Sequence, residues 1–119
     1  MTEVDIQAEV LAHAERNRAL VKQILELGID LRDRREVDLH FLAPSRRSAE
    51  ALVEALRGIG YEPRLDKRRL FSRHQSVTIN THLSVNEVID PQHVEKLVRA
   101  AAQAGAIHDG WGMPVGAPA

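Results

Sequence analysis

The chain has no cysteine. That excludes a disulfide framework, a thiolate metal site and a thiol nucleophile, and it fits a reducing compartment. Aromatic residues are almost as scarce: one Trp, one Tyr and two Phe make up 3% of 119 residues. The core must therefore be built from Leu, Ile, Val and Ala, which the 44% hydrophobic content supplies. No apolar run approaches the roughly 20 residues that span a bilayer. The opening MTEVDIQAEV lacks the basic and apolar regions of a secretory signal. These absences point to one soluble, cytoplasmic domain of ordinary size without a membrane partner.

Net charge is also small, at −1, but it is unevenly spread. Residues 1–30 hold 3 basic and 6 acidic side chains, residues 31–75 hold 11 and 7, and residues 76–119 hold 2 and 4. The middle third is thus the basic part. Its densest stretch, residues 64–73, reads RLDKRRLFSR and contains Lys67, Arg68 and Arg69. A basic loop of this kind either solvates a surface or meets an acidic partner.

Periodicity predicts the elements. Residues 2–27 read as a helix that Thr2 can cap, with Asp5 three places on as a weak form of the capping box, an apolar stripe of Ile6, Val10, Ala14, Val21, Ile24 and Leu25, and Gly28 as a stop. Asn17 and Arg18 interrupt the stripe. Val37 to Phe41 alternates with the period of a half-buried strand, so Phe41 should point inward with Val37 and Leu39. Ser45 caps a second helix with the stripe Ala49, Leu52, Val53, Leu56. Tyr61 to Leu65 reads as a strand, residues 66–69 as a hairpin loop, and Val77 to Thr81 as the next strand. Asp90 and Pro91 open another helix, with the stripe Val94, Leu97, Val98, Ala101, and Ala106 to His108 is a last short strand.

After the first helix the order is β-α-β-β-α-β. This is the split βαβ arrangement of a ferredoxin-like plait, an α+β fold. Right-handed crossovers place both helices on one side of a four-stranded antiparallel sheet ordered 4-1-3-2. The expected organisation is an N-terminal helix over 1–30, the plait over 36–115 and a short tail over 116–119.

The only Trp lies in the run Asp109-Gly110-Trp111-Gly112, where the last strand finishes. Asp109 and Gly110 suit a turn, and Gly112 permits close passage of another segment. Trp111 can fold back to close the core, or serve as an anchor for a partner. His40, His82 and His108 all fall at strand positions that alternation assigns to the face away from the helices. They are candidates for a polar docking face, or for a three-His zinc site if they meet at one level. His13, His74 and His93 read as exposed. Asp38 and His40 share a strand face, but no nucleophile elbow, phosphate loop or Ser-His-Asp pattern is present, so no catalytic residue is assigned. A small RNA- or ligand-binding module using the 64–73 loop is the alternative. Base recognition by such a sheet needs aromatics on its open face, and none is expected there.

Three stretches together carry a family resemblance: LVKQILELGIDLRDRREVDLHF at 20–41, ALVEALRGIGYEP at 51–63 and VIDPQHVEKLVRAAAQAGAIHDGWGMPV at 88–115. With them the chain resembles the RraB family, regulators of ribonuclease E activity. The resemblance spans nearly the whole chain, and DGWG after a helix and a short strand is its most specific element. It implies a non-enzymatic, cofactor-free protein that binds the non-catalytic C-terminal region of ribonuclease E and modulates RNA decay. Met113 stands where the family commonly has Thr, and no acidic residue follows Asp109, where well-known members carry an acidic tail. The residues assigned to partner contact are Trp111, Asp109, His40, His82, Lys67, Arg68 and Arg69.

Overall fold

The computed structural model describes residues 2–66 and 74–113. Lys67, Arg68, Arg69 and the proposed tail at 116–119 lie outside the described residues. The elements run α1 (Glu3–Glu26), β1 (Arg35–Ala43), α2 (Arg46–Gly58), β2 (Arg64–Leu65), β3 (Gln75–Leu83), α3 (Val85–Ile89), α4 (Pro91–Gln103) and β4 (Ile107–Gly112). The sheet is antiparallel with order β2-β3-β1-β4. It is the expected ferredoxin-like plait preceded by a helix. Two details differ. β2 is shorter than Tyr61 to Leu65, and a five-residue helix, α3, precedes α4. Ser84 caps α3 in a full capping box with Glu87, and Asp90 caps α4 by accepting from the Gln92 N–H at 3.1 Å.

The core lies between the sheet and the helices. Val37, Leu39, Phe41 and Ala43 of β1 and Val77 and Ile79 of β3 meet Ala49, Leu52 and Leu56 of α2 and Leu97 and Ala101 of α4, all buried. The stripe of α2 is therefore a core face, while that of α4 is shared: Leu97 and Ala101 face the sheet, and Val94 and Val98 face α1. Ser48 ties the two plait helices together: its Oγ donates to the Ala104 carbonyl across 2.6 Å. The hydroxyl is part of a buried residue. Ser48→Ala leaves that carbonyl without its donor, and urea denaturation should register a loss of about 1 kcal/mol.

α1 joins the helix layer rather than roofing the open side of the sheet. Its Ile6 packs with Val94 and Val98 of α4 in a second, smaller apolar cluster. The residues it buries are Ile6, His13, Asn17 and Ile24, which share one face of the helix. The sequence stripe is wrong in part: Ala14 is exposed, as is Leu25, while the interrupting Asn17 is buried. Half of the docking face is polar, so counting apolar residues alone rotates it.

Among the described residues no helix packs on the opposite sheet face, although Thr78 there is buried. Register places Glu36, Asp38, His40 and Leu42 of β1 beside His82, Asn80, Thr78 and Ser76 of β3. Glu36, His40, Ser76, Asn80 and His82 are exposed. On the other flank, Asp38, His40 and Leu42 stand beside Gly112, Gly110 and Ile107 of β4.

Candidate functional site: the two faces of the terminal strand

The DGWG run sits within β4 rather than beyond it. Its register against β1 slips between His40 and Phe41: Phe41 faces His108, whereas His40 faces Gly110. Asp109 is the extra residue of a β-bulge, and Gly110 takes φ +122°, a conformation natural to glycine. A bulge changes the parity of the strand. Residues Ile107, Gly110 and Gly112 then present to the open face, while His108 and Trp111 turn toward the helices.

This overturns the assignment of His108. Simple alternation puts it on the open face, but pairing with Phe41 puts it inside, where it is 6% exposed. Its ring lies 4.7 Å from the Phe41 ring and is stacked at 4.6 Å on His13 of α1. Nδ1–H of His108 donates to the His40 carbonyl at 3.0 Å. His13 is not exposed either. It is buried and accepts from the Arg16 guanidinium at Nδ1 across 3.0 Å. Both rings are held neutral. Burial pushes the His108 imidazole down to about 3, helped by the neighbouring His13. Burial also lowers His13, followed by the Arg16 charge.

Trp111 is the second fastening on the inner side. It pairs with buried Leu39, packs partly buried against the core, and donates from Nε1 to Oδ1 of Asn17 at 2.8 Å. The residue that breaks the apolar stripe of α1 is thus the acceptor for the only indole. Of the two readings of Trp111, the structure displays the closing one. Asp109, on the bulge, is exposed.

His93 also departs from expectation. It is half-buried, Nδ1–H donates to the Val88 carbonyl at 3.1 Å, and Nε2 accepts from the Tyr61 hydroxyl at 2.6 Å. His74 is exposed, as expected. No sequence signal separates a structural His from a surface one when its partners come from distant elements.

His40 and His82 remain on the open face, but not together. His40 stands beside Thr78, and His82 beside Glu36, two rows further along the sheet. With His108 turned inward the three-His arrangement is dispersed. Among the described residues no group of three or more His, Asp or Glu could hold a metal ion. Asp38 does not engage His40. Its Oδ1 accepts from Nδ2 of Asn80 at 2.8 Å, and the same Nδ2 reaches Oε1 of Glu36 at 2.8 Å. Phe41 and Trp111 both turn inward, so among the described residues this face carries no Phe, Tyr or Trp for bases to stack on. Lys67, Arg68 and Arg69 lie outside the described residues. No described helix is long and apolar enough to cross a membrane.

The arrangement offers a largely polar sheet face on one side and a helix layer latched through β4 on the other. It suits binding by surface complementarity. No curated protein matches the chain. The model of the family described as "Regulator of ribonuclease activity B" matches residues 14–113, from the middle of α1 to the end of β4. A match of that extent takes in the plait, the bulged DGWG strand and the Asn17 that holds its indole, and on it the chain belongs to the RraB family, regulators of ribonuclease activity.

Proposed function

We propose that the protein is a non-enzymatic, cytoplasmic regulator that binds ribonuclease E, through that enzyme's non-catalytic C-terminal region, and slows RNA decay. Family membership over residues 14–113 carries this reading. The open sheet face supports it: a broad polar surface with His40 and His82 exposed is suited to holding a protein segment. The mechanism is occupancy. A regulator seated on a scaffold segment changes what else assembles there and how RNA reaches the nuclease, with no chemistry of its own.

Contact falls to His40 and His82 on the open face, to Asp109 on the bulge, and to Lys67, Arg68 and Arg69 in the basic loop. Trp111 contributes by holding β4 in register and by whatever part of its ring the partner covers. RNA is not the direct ligand in this reading.

Purified protein should retain the C-terminal region of ribonuclease E in a pull-down and lower cleavage of a substrate RNA by the full enzyme. A His40→Ala/His82→Ala double variant should keep its thermal midpoint within a few degrees and bind about tenfold more weakly, the share carried by two central interface residues. Failure of the wild-type protein to bind or inhibit would overturn the proposal. A steep salt dependence of RNA affinity, in place of enzyme binding, would favour the basic loop as a nucleic-acid site.

A further inference from the structure

The open face is not uniform along β1 and β4. At one end, Leu42 and Ile107 stand side by side and border a shallow cavity of about 190 Å³, lined also by Pro44, His74, Gly105 and Ala106. Ile107 is 45% exposed there. In the next two rows β4 has no side chains at all, because its open-face residues are Gly110 and Gly112. A Cβ added at Gly110 would meet nothing within 4 Å, and one at Gly112 only the His40 ring at 3.9 Å. The glycines therefore leave a bare lane of backbone alongside His40 and Asp38. Steric crowding does not explain Gly112, whose φ is unexceptional.

The lane ends at a pair of carboxylates. Glu36 and Asp38 project from the same strand face and share one neutral donor, Nδ2 of Asn80. Neither forms an ion pair among the described residues. Arg64 of β2, across the sheet, is turned to Asp66 at 3.4 Å. Two like charges beside each other without a cation repel, so the face gains most from a partner that brings positive charge.

We infer that this lane is the seat of an extended, basic segment of the partner, with an aliphatic side chain in the Leu42–Ile107 notch and a Lys or Arg over Asp38 and Glu36. The spacing follows from strand geometry. Leu42 and Asp38 are four residues apart on one strand face, about 13 Å at roughly 3.3 Å per residue. An extended ligand running along the lane matches this with an aliphatic residue and a basic residue at i and i+4. The inference rests on the proposed function only for the identity of the partner, and the chemistry of the lane stands without it.

The test has two arms. In the first, ¹⁵N-labelled protein is titrated with a synthetic peptide, Ser-Leu-Thr-Ser-Thr-Lys-Thr-Lys, and with a version carrying Glu for both Lys. The expected result is that the Ile107, Gly110 and Gly112 amides shift with the basic peptide and not with the acidic one. Asp38→Asn/Glu36→Gln should weaken the basic peptide at least fivefold. Shifts that map elsewhere, or are equal for both peptides, overturn the inference. In the second arm, the ribonuclease E C-terminal region is offered to wild-type protein, to Ile107→Glu and to Asp38→Asn/Glu36→Gln. All substituted positions lie at the surface, and circular dichroism verifies that each variant folds. Tenfold weaker binding by the variants supports the lane. Equal binding by all three overturns it and leaves the proposed function standing. If the wild-type protein takes the basic peptide but not the enzyme region, the function fails and the lane survives.

Discussion

Acidification from pH 7 to pH 5 should lower the unfolding free energy by about 2 kcal/mol through His108 alone. The imidazole titrates near 6.5 in the unfolded chain but is pushed down to about 3 in the fold. Below about pH 6.5 the unfolded state takes up a proton that the native state refuses, so stability falls with pH. The loss builds from there to the native value near 3. His13 is shifted the same way and adds to the slope. The groups facing this pair are Arg16, Glu9, Asp109 and His93. The two carboxylates oppose the shift of His13 but do not cancel the burial. Carboxylates held low by partners, such as Glu87 at about 2 beside Arg34, act in a different window, below the ordinary carboxylate range near 4.5. Urea midpoints at half-unit steps between pH 7.5 and 5 separate the two. His108→Gln should remove most of the change between pH 7 and 5. A wild-type protein equally stable at both pH values would show that the stacked rings are not kept neutral.

Trp111→Ala should cost about 3 kcal/mol, the lower end of what truncating a buried ring costs, because the indole is only partly buried. Two losses add. The ring's packing over the core near Leu39 goes, and Asn17 is left buried with its Oδ1 stripped of a donor. Trp111→Phe restores much of the packing but not the N–H, so it should cost about 1–2 kcal/mol. Asn17→Ala in the Trp111→Phe background should then add less than Asn17→Ala alone, with a coupling of about 1 kcal/mol in a double-mutant cycle. Trp111→Ala at under 1 kcal/mol would mean that α1 does not depend on the indole for its seat.

These two effects meet at one boundary. α1 is held to the plait by a small apolar cluster around Ile6, Val94 and Val98 and by the polar fastenings of His13 and Asn17. A helix attached in this way is the element most readily released when its polar contacts are charged or broken. Acid and Trp111→Ala should therefore act on α1 first, and amide exchange along 13–24 should rise before that of β1 or β3.

Much of this protein is determined by the order of its residues alone. The stripes at Ala49–Leu56 and Val94–Ala101, the alternation from Val37 to Phe41 and the caps at Ser45 and Asp90 are local signals. Each is decided within a few residues by helical or strand period and by the hydrogen-bonding needs of helix ends. They yield the plait, its strand order and the inward Phe41. DGWG as a family mark is likewise a property of the string. What only the tertiary structure decided concerns the bulge and the first helix. His108 turns inward through its pairing with Phe41, and one extra residue at Asp109 reverses the parity beyond it, sending Trp111 inward too and leaving Gly110 and Gly112 as a bare lane. Alternation cannot reveal that, because a bulge exists only against a partner strand. The face of α1 was equally hidden. His13 and Asn17 are buried because β4 brings a ring and an indole N–H to meet them. A polar residue can be buried wherever its partner is supplied, and that partner lies more than 90 residues away in the chain.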